Sequence, residues 1–287
     1  MTYPIELQNV SYYYSPGTPL QVTALKDINL RIGEGEFVGI IGHTGSGKST
    51  LISHFNGLLK PGEGKVIIDG EDIAKDKETL KAARFKVGLC FQYPEAQLCE
   101  ETVARDIAFG PKNMKLPDEE INERVKKAAE YVGLRPEMLE KSPFDLSGGE
   151  KRRAAIAGVM AMEPKVLVLD EPAAGLDPGG KKEILSMISA YKQRTGCTVV
   201  LVSHSMEDIA SVADRVIVMN SGTIAMDGSV DEVFSHAPEL RGMGLNVPEI
   251  TRIFIRLKEL GYDVPTNVYS VDTGARILGE LIRKGGS

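Results

Sequence analysis

The sequence predicts an α/β fold in which helices cover a mostly parallel sheet. Three continuous apolar runs end in polar residues, as strands buried on both faces do: FVGIIG, VLVLDEP and TVVLVSH. Helical stretches separate these runs, and strands that alternate with helices favour parallel pairing. We therefore expect three central strands whose polar ends meet at the carboxyl edge of one sheet, where ligands bind in open α/β folds.

The start of the chain has a different pattern. IELQNVSYYY, ALKDINLRI and GKVIIDGEDI are short, alternating or β-branched segments broken by Gly-rich turns. Such segments are typical of an antiparallel sheet at the edge of a domain.

Two further regions are helical in pattern. Residues 100–160 include DEEINERVKKAAEYVGL, whose apolar residues recur every three or four positions up to Gly133. After residue 231 the segments VDEVFSH and VPEITRIFIRLKELG are helical again, and we expect RILGELIRKGGS to fray at its end. The sequence thus predicts an inserted helical subdomain and a C-terminal appendage.

Length and composition limit the class of protein. A chain of 287 residues corresponds to one elaborated domain or two at roughly 150 residues each. No run approaches the ~18 apolar residues of a membrane span. The net charge of -6 argues against a nucleic-acid binder, because such domains carry a basic excess. The three cysteines lack C-x-x-C spacing and the N-terminus lacks a signal pattern, so we expect a reducing cytosol.

The Gly-rich segment GHTGSGKST lies between a predicted strand and a predicted helix. It satisfies G-x-x-x-x-G-K-[ST], a loop whose backbone N–H groups surround a β-phosphate. The lysine bridges phosphates and the first hydroxyl after it ligates Mg²⁺, whereas an ordinary turn requires neither residue. We expect the whole loop to contact a nucleotide: Gly42, His43, Thr44, Gly45, Ser46, Gly47, Lys48, Ser49 and Thr50.

The loop alone leaves kinases, GTPases, helicases and transport ATPases open. Downstream, DLSGGEKRRAAIAGVMAMEPKVLVLDEPAAGLD resembles the ATP-binding-cassette (ABC) family, with LSGGE as its signature and VLVLDEP as its Walker B strand. The resemblance covers about residues 4–230 and implies a P-loop NTPase fold that binds ATP and Mg²⁺. It implies a RecA-like core (1–92 and 160–230) with an antiparallel β subdomain, a helical signature subdomain (93–159) and a helical appendage (231–287).

The resemblance also implies roles for polar residues at strand ends. Asp170 would hold Mg²⁺ together with Ser49, and Glu171 would orient and deprotonate the attacking water. Gln92 in CFQYPE matches the Q-loop residue that touches Mg²⁺ or the water, and His204 matches the switch histidine at the γ-phosphate. The rings of the other histidines have no such placement and are expected to be structural or solvated: His43, His54 and His236.

The signature residues imply a second subunit. In this family Ser147, Gly148 and Gly149 begin a helix that points away from the chain's own phosphate loop. ATP is therefore held between the loop of one subunit and the signature of another, and Asp177 in the D-loop communicates across the pair. Tyr14 fits the aromatic residue that stacks on adenine, with Tyr12 and Tyr13 as competitors.

The segment FQYPEAQLCEETVARDIAFGPKN resembles the ATPases of energy-coupling factor (ECF) importers of vitamins and metals. The YPEAQLCEETV variant, SHSMEDIA and the short tail are most like the second A-type subunit, related to cobalt and nickel importer ATPases. Cys99 and Ala173 replace the usual aromatic residue and threonine, so neither contact is carried over. Glu95, Glu100 and Glu101 either receive arginines from a coupling protein or form a solvated acidic rim.

The ECF resemblance implies three kinds of partner: a paralogous ATPase forming a heterodimer, a transmembrane coupling subunit and substrate-binding membrane components. The chain would then lie on the cytoplasmic face of the cell membrane. The alternative is a soluble ABC ATPase. The single cassette and the acidic net charge argue against a role on nucleic acid or ribosomes, so a cluster-assembly ATPase remains as the soluble alternative. A small-molecule kinase does not fit the signature, and the sequence does not identify a transported substrate.

Overall fold

The computed structural model describes residues 2–285. Its strands are β1 (Ile5–Tyr14), β2 (Val22–Ile32), β3 (Phe37–Gly42), β4 (Glu63–Ile68), β5 (Glu71–Asp72), β6 (Val87–Cys90), β7 (Val166–Asp170), β8 (Thr198–Val202), β9 (Arg215–Asn220) and β10 (Thr223–Ser229). Its α-helices are α1 (Lys48–Phe55), α2 (Lys77–Lys86), α3 (Val103–Asn113), α4 (Asp118–Tyr131), α5 (Gly148–Met160), α6 (Pro178–Thr195), α7 (Met206–Val212), α8 (Val230–Ser235), α9 (Ala237–Gly242), α10 (Glu249–Glu259) and α11 (Val271–Gly285).

The central sheet has the strand order β10-β9-β3-β8-β7-β6. Strands β9, β3, β8, β7 and β6 pair in parallel, and only β10 is antiparallel. The three strands predicted from apolar runs, β3, β7 and β8, are buried along their whole length and are neighbours. Their carboxyl ends therefore deliver the residues that follow them to one edge, as predicted.

The segments at the start of the chain form the predicted antiparallel sheet, with the order β2-β1-β4-β5. Its apolar face packs in one cluster with helix α1 and with one face of the central sheet, through residues such as Leu7, Phe55 and Val38. The helix that carries the phosphate loop is thus fixed between two sheets.

Helices α3, α4 and α5 occupy the region predicted to be helical. Helix α4 ends just before Gly133, whose φ of 68° ends the helix as the sequence indicated. Apolar residues of these helices share one cluster with the other face of the central sheet, and residues Val233–Val247 of the C-terminal region join it. A separate small cluster forms further on, around Phe254 and Val268.

The C-terminal region contributes to two apolar clusters. Its first part packs with the core, and α10 and α11 form a small cluster of their own, while Ile255 and Tyr269 also pack against the core. The predicted fraying at RILGELIRKGGS concerns an end that lies partly outside the described residues. Within residues 2–285, each helix is too short or too polar to cross a bilayer.

Candidate active site

The Gly-rich loop joins β3 to α1 at the carboxyl edge of the central sheet. Gly47 has a φ of 103° and a Cβ there would lie 2.6 Å from the carbonyl oxygen of Ala24, so only glycine fits. Helix α1 has no side-chain cap and no acidic residue in its first turn. Its first N–H groups therefore face outward with a positive partial charge, which is the arrangement that binds phosphate.

Lys48 is buried beside this helix end. Its Nζ donates to the carbonyl oxygens of Gly42 (2.7 Å) and His43 (3.2 Å). Burial lowers the pKa of Lys48, while the carboxylates of Glu171 and Asp170 oppose that shift. The ammonium thus sits between the loop and two acids. The ring of His43 bonds to Thr44 O and to Asn220, which is the structural role expected for it.

Ser49 and Asp170 form a direct pair between the loop and β7. The Ser49 hydroxyl donates to Asp170 Oδ2 at 3.1 Å. Burial raises the pKa of Asp170, and the bond from Ser49 and the charge of Lys48 oppose that rise. One hydroxyl and one carboxylate are few ligands for a metal held by protein alone. They fit Mg²⁺, because that ion keeps several waters and takes substrate phosphates as ligands.

Glu171 follows β7 with a φ of 52°, in the left-handed region. Its N–H donates to Val202 O at 3.0 Å, which fixes the backbone at the end of β8. Burial raises the pKa of Glu171 to about 7, with a second contribution from Asp170. Within residues 2–285, its buried Oε1 lacks a hydrogen-bond partner, although it lies 3.3 Å from His204 Nε2. A carboxylate of this pKa is suited to accept a proton at neutral pH.

His204 lies two residues after β8, and its ring is half-exposed, with 55 % of the side chain accessible. Burial of its inner part and the charge of Lys48 lower its pKa, so the imidazole is neutral at pH 7 and can donate or accept a hydrogen bond.

Gln92 is exposed and lies two residues after β6, the strand that pairs with β7. Tyr14 is exposed, and its hydroxyl bonds to Thr50 Oγ1 at 3.1 Å. Tyr12 packs against His54 and the core instead.

The signature residues begin helix α5. Ser147 caps this helix and forms a capping box with Glu150, whose pKa the Ser147 hydroxyl lowers. A Cβ at Gly148 or Gly149 would meet no atom within 4 Å, so the helix start is open. In the hydrogen bonds of residues 2–285, the signature and the phosphate loop are not joined. Asp177 caps α6 by accepting from Gly180 N–H at 2.8 Å.

The protein-family model described as "ABC transporter" matches residues 25–174. The chain belongs to the ABC transporter family. Two relatives are both named "Energy-coupling factor transporter ATP-binding protein EcfA2". The Clostridium perfringens protein is 52% identical over 280 residues, covering 97% of this chain and 98% of the relative. The Caldanaerobacter subterraneus protein is 55% identical over 269 residues, covering 94% of each.

Two solved structures resemble this ABC ATPase. The structure of cbiO1 from Clostridium perfringens, described as part of the ABC transporter complex cbiONQ, has a TM-score of 0.75 and 38% identity, covering 91% of this chain and 98% of that one. A dimeric post-hydrolysis state of the cassette MJ0796 bound to ADP and Pi has a TM-score of 0.70 and 31% identity, covering 79% and 98%. The predicted P-loop NTPase fold, ATP hydrolysis and ECF resemblance are confirmed.

Sequence reasoning missed an ion pair between a buried arginine and a partly buried glutamate of this ABC ATPase. Glu95, considered as an acceptor for a partner's arginine, is bound to Arg152 of its own chain at 2.7 Å. Glu101 pairs with Arg105, and Glu100 bonds through its N–H to Asp106. Arg152 lies in the run KRR directly after the signature, and nothing in that run distinguishes it from its neighbours; only the structure shows that it is buried on α5.

Proposed function

We propose that this ABC ATPase powers an ECF-type importer of vitamins or other micronutrients. The observation that carries ATP hydrolysis is the meeting of Ser49, Asp170, Glu171 and His204 beside the uncapped start of α1. The importer assignment is supported by the two relatives named as energy-coupling factor transporter ATP-binding proteins, because they match nearly the whole chain, including its C-terminal region.

In the proposed mechanism, the N–H groups of residues 42–50 and the ammonium of Lys48 hold the phosphates of ATP. Ser49 and Asp170 would hold Mg²⁺, which would supply positive charge next to the phosphates. Glu171 orients a water and takes its proton as the water oxygen attacks the γ-phosphorus. The bond from that phosphorus to the β,γ-bridging oxygen breaks, and ADP leaves. His204 contacts the γ-phosphate and Gln92 contacts the water or the metal, while Tyr14 stacks on adenine.

We further propose that each complete site is shared between two subunits. The open start of α5 at Gly148 and Gly149 supports this, because nothing in residues 2–285 covers it or requires glycine there. Ser147 and the glycines would approach the phosphates bound to a partner's loop, and Asp177 would lie near the same junction. The ADP-bound MJ0796 cassette is likewise described as dimeric.

The proposed partner is a paralogous ATPase, which gives a heterodimer held by a transmembrane coupling subunit that serves several substrate-binding membrane components. Peripheral attachment to the cytoplasmic face of the membrane follows from those contacts. The residue division 1–92 with 160–230, 93–159 and 231–287 is kept as a proposal for the core, signature and appendage units.

Co-expression tests this assignment. This chain, a paralogous cassette and a candidate transmembrane coupling subunit from the same organism are produced together, with an affinity tag on this chain alone. We expect all three to co-purify and to hydrolyse ATP much faster than the isolated chain. Full activity of the isolated chain, with no membrane protein retained, would contradict the importer assignment and favour a soluble ABC ATPase such as a cluster-assembly protein.

A further inference from the structure

Arg152 is a buried arginine that joins separate parts of the molecule. It lies on α5, five residues after Ser147, and only 5 % of its side chain is accessible. Its Nη2 and Nε donate to the two carboxylate oxygens of Glu95, at 2.7 and 3.1 Å. Glu95 belongs to the short 3-10 helix Pro94–Gln97, which follows the segment containing Gln92. The pair therefore fixes that segment to the signature helix.

The same guanidinium also reaches the turn that follows Glu171. Its Nη1 donates to Ala174 O at 2.6 Å and to Pro172 O at 3.3 Å. The N–H of Ala174 in turn donates to Glu171 O at 3.1 Å and closes the turn. The carbonyl oxygen of Ala174 thus accepts a hydrogen bond from Arg152, and its N–H donates one to Glu171.

This turn needs external support. Glu171 has a left-handed φ of 52°, and a non-glycine residue stays in that region only where its surroundings determine it. One support is the bond from Glu171 N to Val202 O, and another is the closing bond from Ala174. Arg152 is the support that comes from the signature helix rather than from the central sheet.

We propose that Arg152 is a positioning residue for ATP hydrolysis. Its hydrogen bonds fix the position of the turn 171–174 relative to helix α5 and to the segment after β6. The Glu171 carboxylate is thereby kept oriented toward the attacking water. The inference rests on the proposed role of Glu171 as the base. The orientation of the Glu171 carboxylate thus depends on a residue of the signature helix in the same chain.

Guanidinium geometry makes the role specific. Arginine presents five donors in a planar fork and can bind a carboxylate in two places while it reaches carbonyl groups on its other edge. A lysine ammonium is a single point of charge. We therefore expect Arg152→Lys to keep the charge next to Glu95 but to release the turn after Glu171.

The test uses the assembled complex and measures kcat and the KM for ATP. Arg124→Met is a matched control, because Arg124 is half-buried, binds Glu120 through two nitrogens (2.8 and 3.0 Å) and donates to Met162 O (3.1 Å), all remote from Glu171 in sequence and bonding. We expect Arg152→Met to lower kcat at least tenfold with KM changed less than twofold. Arg124→Met should leave both within twofold, even where both variants lower the melting temperature.

The split between kcat and KM separates positioning from general destabilisation. A misaligned base slows the chemical step in an assembled site that still binds ATP, so kcat falls while KM stays within twofold. A general loss of stability lowers the melting temperature and the yield of complex without this split. If Arg152→Met does not assemble, Arg152→Lys and Glu95→Gln carry the same kcat and KM measurements.

Failure of the positioning role and failure of the proposed role of Glu171 give different results. If Glu171→Gln is inactive but assembled Arg152→Lys has wild-type kcat, the positioning role is overturned and the proposed hydrolysis mechanism stands. If Glu171→Gln itself turns over at the wild-type rate, the proposed role of Glu171 fails. A loss of kcat in Arg124→Met equal to that in Arg152→Met would also overturn the positioning role.

Discussion

Glu171 Oε1 lies 3.3 Å from His204 Nε2 at the carboxyl edge of the central sheet. The two residues follow neighbouring parallel strands, β7 and β8, so the register of the sheet sets their separation. Burial leaves the carboxyl with a pKa of about 7 and the imidazole neutral at that pH. A carboxyl group suited to act as a base and a neutral imidazole thus lie side by side.

Glu171→Gln should abolish most turnover while ATP still binds. Glutamine keeps the size and the hydrogen bonding of the side chain but cannot take a proton, and a general base contributes roughly 10²–10⁴-fold to rate. Steady-state phosphate release measures the loss, and equilibrium binding of labelled ATP is the control. Turnover within about twofold of the wild type would remove Glu171 from this role.

The raised pKa of Glu171 predicts a pH dependence of stability. The folded chain holds the proton up to about pH 7, whereas the unfolded chain releases it near 4.5. The folded state therefore binds more protons between these values, and its stability decreases as the pH rises from 4.5 to 7. Glu171→Gln should remove this part of the slope, at most about 3 kcal/mol.

Denaturant unfolding of the nucleotide-free chain at several pH values checks this prediction. The difference between wild type and Glu171→Gln isolates one group, since Asp170 and Asp208 also have raised pKa values. Parallel stability curves for the two proteins would mean that Glu171 titrates normally.

Lys48→Ala should weaken nucleotide binding itself. The β- and γ-phosphates lose a fixed cation, and a hydrogen bond to a charged group is worth about 1.5–3 kcal/mol, or roughly 10–150-fold in Kd. Lys75→Ala is a suitable control because Lys75 is exposed and forms one surface ion pair with Glu71. An unchanged Kd for Lys48→Ala would show that the loop binds through backbone N–H groups alone.

Tyr14→Ala should raise the Kd for ATP about tenfold, since base–aromatic stacking contributes about 1–3 kcal/mol. Tyr14→Phe should bind almost normally, because it keeps the ring and loses only the bond to Thr50. Tyr13→Ala is the comparison variant. If Tyr13→Ala loses affinity and Tyr14→Ala does not, the adenine contact belongs to Tyr13.

Local patterns in the sequence were sufficient to predict much of this site. The apolar strands ending in Asp170 and His204, and the glycines around Lys48, follow from burial and backbone geometry that act over a few residues. The bond between Glu95 and Arg152 joins positions 57 apart and depends on tertiary packing, so no local pattern indicated it. Strands β9 and β10 were also not identified from the sequence, although Arg215–Asn220 is apolar and buried at its centre.

We expect the signature of this chain to complete the site on its partner's loop, and subunit-specific mutations test this directly. In the reconstituted heterodimer, the paralogue's Walker B glutamate is changed to glutamine, so that hydrolysis reports the site built on Lys48 and Glu171 of this chain. Ser147→Arg is then added here, and phosphate release is measured. We expect this remaining hydrolysis to be unaffected. In the converse complex, with Glu171→Gln in this chain and a wild-type paralogue, adding Ser147→Arg should abolish the hydrolysis at the paralogue's site. Loss of hydrolysis only at the site on this chain's own loop would contradict the sharing of sites between subunits.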